Sequence, residues 1–236
     1  MALSQTNGLT AQPRMDFDLF MTTRVKICGI KTAAALEAAI SGGAEFAGFV
    51  FYPPSPRSLT IDAAATLSQL AKRRCSIVAL LVDADDALIE QVVANVQPDL
   101  LQLHGSETVE RVVDIRRRFK VPVMKAIKVE AGDDVMAALA YAGIADRILF
   151  DAKPPKGLVG ALPGGNGLSF DWRVLERVLG KLEFMLSGGL TPANVADAVR
   201  LTGAWAVDVS SGVESAPGEK DLGLIASFLA AAKAAC

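Results

Sequence analysis

The chain has 236 residues, 51% apolar but only 6% aromatic, and a formal net charge of −2 without a long basic run. That length suits one large α/β domain with an ample core, and the charge argues against nucleic acid or an anionic membrane as partner. One histidine (His104) and three cysteines (Cys28, Cys75, Cys236) with no CxxC pair exclude the usual zinc constellations and a disulfide framework.

Residues 1–22 show no sustained periodicity and read as a loosely held N-terminal extension, with the organised domain spanning 23–236. They lack a basic segment followed by an apolar stretch, and no apolar run reaches membrane-spanning length, so a cytoplasmic protein with no membrane partner is expected. From Thr23 onward, short apolar runs rich in β-branched residues alternate with helical patterns. The predicted strands are 24–28, 46–51, 76–82, 99–103, 122–127, 147–151, 183–187 and 204–209. Helical periodicity falls at 32–41, 61–73, 85–96, 107–119, 132–142, 170–180, 192–202 and 219–234. Eight strand–helix units in one chain predict a single (β/α)8 barrel. An open doubly wound sheet is the competitor, but no G-x-G-x-x-G follows the first strand.

Barrel active sites form at the C-terminal ends of the strands. Alternation in RVKIC puts Val25 and Ile27 on one face and Lys26 and Cys28 on the other. By the same rule Gln102 and His104 share a face at the end of strand 4. Asp151 ends strand 6, Ser187 ends strand 7, and Asp208 and Ser210 share a face at the end of strand 8. Converging on one mouth, these groups point to an enzyme.

Two segments suggest a phosphate site. Ser187-Gly188-Gly189-Leu190-Thr191-Pro192 runs into a helix with proline in its first turn, and Ser210-Ser211-Gly212-Val213-Glu214 follows strand 8. Gly165 and Gly167, in the loop after strand 6, add further amides. In YPPSPRSLT the prolines restrict the loop around Arg57, whose guanidinium suits a carboxylate. The alternatives are plain ones: ordinary glycine turns, a solvated Arg57, a buried inert Cys28, and Asp151 as a cap or partner of Lys153. Lys26 and nearby amides would favour a Cys28 thiolate. Cys75 and Cys236 read as structural, and Trp172 and Trp205 as packed between barrel and helices.

Seven segments, RVKICGIKT, GFVFYPPSPRSLT, LLQLHG, LFDAK, GGNGLSFDW, FMLSGGL and AVDVSSGVESAPGEKD, occur in this order. Together they resemble the phosphoribosylanthranilate isomerases of tryptophan biosynthesis, over essentially the whole chain from Thr23. The resemblance implies a monomeric or homodimeric barrel without cofactor, acting on N-(5-phosphoribosyl)anthranilate. It also implies Cys28 as general base, Asp151 as general acid and Arg57 on the anthranilate carboxylate. Lys26, Gln102, His104 and Asp208 are expected to contact substrate, and Gly165, Gly167, Ser187, Gly188, Gly189, Ser210, Ser211 and Gly212 to hold its phosphate. The loop at 154–163 is longer than the pattern suggests. Indole-glycerol-phosphate synthase would want further lysine and glutamate residues at strand ends. A bifunctional isomerase would want a second phosphate loop, and VDADDA at 82–87 is acidic and glycine-free. A non-catalytic phosphate-binding barrel is a third reading, opposed by the intact Cys28 and Asp151.

Overall fold

The computed structural model describes residues 23–154 and 162–235. The expectations for the 1–22 extension, for most of the 154–163 loop and for Cys236 lie outside these residues. Eight parallel strands close into a barrel in sequence order: β1 (Arg24–Cys28), β2 (Phe46–Phe51), β3 (Ser76–Leu81), β4 (Leu100–Leu103), β5 (Val123–Val129), β6 (Arg147–Ala152), β7 (Phe184–Leu186) and β8 (Ala206–Val209). The helices are α1 (Ala33–Ser41), α2 (Ile61–Ala71), α3 (Asp86–Val96), α4 (Val109–Phe119), α5 (Gly132–Ala137), α6 (Val195–Thr202) and α7 (Leu222–Lys233).

The expected alternation holds, and it creates two apolar layers. Val25, Ile27, Leu101, Leu103, Val207 and Val209 face outward into the layer beneath the helices. Inward-facing Val78, Leu100, Met124, Ala126, Leu149, Met185 and Ala206 fill the lumen. Towards the C-terminal ends of the strands this inner layer gives way to the polar side chains of Lys26, Gln102, Asp151 and Asp208, and a mouth forms there. Short side chains start several helices by accepting the free amides of the first turn. Thr32 accepts from Ala35, Thr60 from Ala63, Asp85 from Leu88 and Asp221 from Leu224.

Five helical segments differ from expectation. The helix expected at 132–142 is α-helical only over Gly132–Ala137 and continues as a 3-10 helix, Ala138–Tyr141. The segment expected as a helix at 170–180 is a 3-10 helix, Trp172–Val178. The fourth helix starts at Val109 because Glu107 is spent on the preceding loop, accepting from the Asp83 and Gly105 amides and pairing with Lys125 at 2.7 Å. The seventh-unit helix starts at Val195, after Pro192, with the Asn194 side chain tying the Gly189 carbonyl to the Thr191 amide. The last helix starts at Leu222, because the residues before it form a small antiparallel hairpin, β9 (Glu214–Ala216) with β10 (Glu219–Lys220). Trp172 does pack against the outer layer. Trp205 instead packs against the lumen cluster beside Phe46, with the Arg24 and Arg147 guanidinium groups each 4.8 Å from its ring.

Candidate active site

One cavity opens at the C-terminal end of the barrel. It is lined by Cys28, Arg57, His104, Asp151, Ser187, Asp208, Ser210 and the glycines at 164, 165, 167, 188, 189 and 212. Lys26 and Gln102, expected to touch substrate, are fully buried and lie outside that lining. Each serves a neighbour instead. Lys26 Nζ is 3.0 Å from Asp208 Oδ1, residues that face each other in the β1–β8 register. Gln102 Nε2 is 2.8 Å from His104 Nδ1.

Cys28 ends β1 opposite Gly48 of β2. A Cβ at Gly48 would stand 3.0 Å from Cys28 Sγ and 3.1 Å from Lys26 Cε, so the glycine makes room for both side chains. Burial pushes the Cys28 thiol above its ordinary range; Lys26 and Lys220 pull it down and Asp208 pushes it up, leaving it raised. Lys26 does favour the thiolate, as expected, but burial opposes it more strongly. Lys26 is largely committed to Asp208. Burial opposes its charge, but Asp208 and Cys28 together hold it above the ordinary lysine value.

Asp151 is 4% exposed. Its Oδ2 lies 3.2 Å from His104 Nε2, and its Oδ1 accepts from the Ala152 amide at 3.0 Å. Lys153 pairs with Glu130 and Asp134, so the reading of Asp151 as its ion-pair partner falls. His104 sits between Gln102 and Asp151 and lines the cavity. Gln102 Oε1 has no partner among the described residues. Burial pushes the Cys75 thiol up to about 12, which disfavours a reactive thiolate and suits the structural reading.

The two loops expected to bind phosphate are adjacent. The amides of Gly188, Gly189, Ser211 and Gly212 make no backbone hydrogen bond among the described residues. A Cβ at Gly212 would stand 1.9 Å from the Leu190 carbonyl oxygen, so only glycine lets the two loops approach this closely. Gly167 lies on their side, its Cβ direction 3.7 Å from Ser211 Oγ. Gly165 does not: its carbonyl accepts from Arg57 Nη2 at 3.1 Å, which puts it at the arginine.

Arg57 is 5% exposed, so the solvated reading fails. Its Nε and Nη2 both donate to Glu214 at 2.8 Å, a two-pronged pairing that sequence reasoning missed. Glu214 in turn accepts from Lys220 Nζ at 2.6 Å and from the Gly218 amide at 3.1 Å. The signal available in the sequence was two opposite charges, in VESAPGEK, six residues apart around a turn.

A family model described as N-(5'phosphoribosyl)anthranilate (PRA) isomerase matches residues 25–231. The chain belongs to the N-(5'-phosphoribosyl)anthranilate isomerase family. It is 54% identical to such an isomerase from Nitrobacter hamburgensis, over 91% of this chain and 95% of that one. It is 53% identical to the one from Rhizobium meliloti, over 91% and 99%. Among solved structures, the phosphoribosyl anthranilate isomerase of Thermotoga maritima matches with a TM-score of 0.81 at 36% identity, over 90% of this chain and 99% of that one. A further isomerase structure, at 34% identity with a TM-score of 0.79 over 90% and 99%, is a complex with reduced 1-(o-carboxyphenylamino)-1-deoxyribulose 5-phosphate. Among the described residues, no helix is long and apolar enough to cross a membrane.

Proposed function

We propose that this isomerase performs an Amadori rearrangement of N-(5-phosphoribosyl)anthranilate to 1-(2-carboxyphenylamino)-1-deoxyribulose 5-phosphate, a step of tryptophan biosynthesis, with Asp151 as acid and Cys28 as base. The observation that carries the assignment of roles is the order around the mouth. Cys28 on β1 and Asp151 on β6 are separated by β7 and β8, and those two strands lead into the glycine–serine loops. A phosphate held there anchors the sugar between the acid and the base. The apolar side chains of Val50, Tyr52, Leu80 and Val82 line the same cavity from β2, β3 and the residues that follow each strand, and suit an aromatic ring.

The reaction then needs two proton transfers. Asp151 protonates the ribose ring oxygen, the ring opens to a Schiff base, and Cys28 removes the proton from C2. The resulting enolamine tautomerises to the ketone. Ring opening requires Asp151 in its acid form. His104 Nε2 lies 3.2 Å from Asp151 Oδ2, within reach to share that proton, and Gln102 holds the other ring nitrogen at 2.8 Å. Gln102 and His104 thus act on the acid, and Lys26 and Asp208 set the charge behind the base. Lys26 and Gln102 are positioning groups in place of the substrate contacts expected for them, whereas His104 and Asp208 also line the cavity.

The decisive experiment follows phosphoribosylanthranilate consumption by fluorescence with purified protein. Turnover slowed by orders of magnitude in both Cys28→Ser and Asp151→Asn is the expected result. No turnover by the unaltered chain would overturn the activity. Full turnover in either variant would overturn that residue's role. The substrate is a small anionic phosphosugar, the compartment proposed is the cytoplasm, and the oligomer proposed is a monomer or homodimer.

A further inference from the structure

Three charged side chains meet under the hairpin that follows β8. Arg57, Glu214 and Lys220 have side chains that are 6%, 3% and 2% exposed. Two of them are cations and one is an anion. A buried cluster with one uncompensated positive charge is costly unless an anion completes it. The open position is Arg57 Nη1. Nε and Nη2 are held by Glu214, and no hydrogen bond engages Nη1 among the described residues. Arg57 lines the cavity, whereas Glu214 and Lys220 do not. Whatever these two do for the substrate, they do through Arg57 or through the loop they hold.

The hairpin is built to hold that geometry. Glu214 Oε2 receives the Gly218 amide, so the turn closes onto its carboxylate. Lys220 Nζ donates to the Ser210 carbonyl at 2.9 Å as well as to Glu214, and Ser210 Oγ donates to the Cys28 carbonyl at 3.1 Å. At its tip, a Cβ on Gly218 would stand 2.5 Å from the Pro56 carbonyl, so the turn packs directly on the loop that carries Arg57. The pairing also fixes Glu214 as an anion. Burial alone would push its carboxyl up, but Arg57 and Lys220 hold it down at about 2.

We propose that Glu214 and Lys220 are positioning residues for substrate recognition, clamping the Arg57 guanidinium so that Nη1 alone is presented to the substrate carboxylate. This rests on the reading that Arg57 receives that carboxylate. The contact is then one-pronged, and its strength depends on a guanidinium that is already oriented and unable to swing away. Pre-ordering of this kind lowers the cost of binding without entering the chemical step.

The test compares Arg57→Ala, Glu214→Gln, Glu214→Asp and the Arg57→Ala/Glu214→Gln double variant, reading KM, kcat, melting temperature and inhibition by inorganic phosphate. Glu214→Gln keeps the shape but loses one acceptor and the charge. It should raise KM at least roughly tenfold, the size of a lost charge-assisted hydrogen bond, with a much smaller change in kcat. The double variant should match Arg57→Ala alone, because Glu214 acts through that side chain. Phosphate inhibition should be unaffected. Glu214→Asp keeps the charge and a near-native fold but is too short to reach both Arg57 nitrogens and Lys220, so it too should raise KM. An unchanged KM in both Glu214 variants would overturn the clamp. So would KM effects that multiply in the double variant, or phosphate inhibition that weakens in parallel, since either marks general damage to the loop. An unchanged KM in Arg57→Ala would instead overturn the carboxylate reading beneath it.

Discussion

The base proposed at Cys28 starts from a thiol whose proton is held tightly. Its thiol is raised by burial and by Asp208, and only part of that is offset by Lys26 and Lys220. A thiol raised above its ordinary range is mostly protonated at neutral pH, and the active fraction grows as pH rises. The kcat/KM profile, which reports the free enzyme, should therefore keep climbing through the weakly alkaline range, and Cys28→Ser should lose both the activity and that limb. A profile already flat at neutrality would contradict the assignment. Asp151 makes the second residue-scale case. Asp151→Asn preserves shape but removes the acidic proton, so kcat should fall by roughly 10²–10⁴ with the substrate still bound. Because Lys153 is paired elsewhere, melting temperature should stay near that of the unaltered chain. A destabilised variant that still turns over would return Asp151 to a structural role. At this scale the sequence was legible wherever a residue's place follows from strand alternation: Cys28, Asp151 and His104 all line the cavity. Roles set by a distant partner were not. Nothing near Lys26 in the chain indicates that Asp208, on the last strand, takes up its ammonium.

Elements show the same division. All eight strands were readable because buried parallel strands announce themselves by apolar β-branched runs. Helix starts were misplaced where a side chain has a tertiary use. Glu107 looks like a first-turn residue but is drawn into the loop beside His104, and Glu219 and Lys220 continue a helical pattern yet pair as a hairpin. The loops proposed to bind phosphate were visible as glycines, but their mutual contact was not. Gly212 and the Leu190 carbonyl meet without room for a side chain. Gly212→Ala should force the loops after β7 and β8 apart. KM should rise and inhibition by phosphate or sulfate should weaken, with a smaller effect on kcat because Cys28 and Asp151 sit on strands β1 and β6. Binding should also lose its thermal signature, since a ligand that prefers the folded state raises the melting temperature by linkage. Undiminished phosphate inhibition in Gly212→Ala would show that the anion binds elsewhere.

For the whole molecule, the count of eight strand–helix units predicted a closed barrel, but not the contact that forms where it closes. β1 and β8 are far apart in the chain and adjacent in the barrel, and a charged pair crosses their seam inside the lumen. Lys26 is fully buried and Asp208 is 4% exposed, so each ion depends on the other for compensation. Removing one partner leaves a buried unpaired charge, which costs about 3–5 kcal/mol, whereas replacing both with apolar residues of similar volume is often near neutral. Lys26→Met should thus lower the melting temperature by roughly 10 °C, given that 1 kcal/mol moves a domain of this size by about 2–4 °C. Asp208→Leu added to it should restore much of the loss while leaving the enzyme inactive, because Asp208 faces the cavity beside Ser187 and Cys28. Thermal melts of the two single variants and the double variant form one cycle, with activity measured on each preparation. If the two losses simply add, the pair is not a coupled unit, and the seam owes its stability to backbone pairing and apolar packing alone.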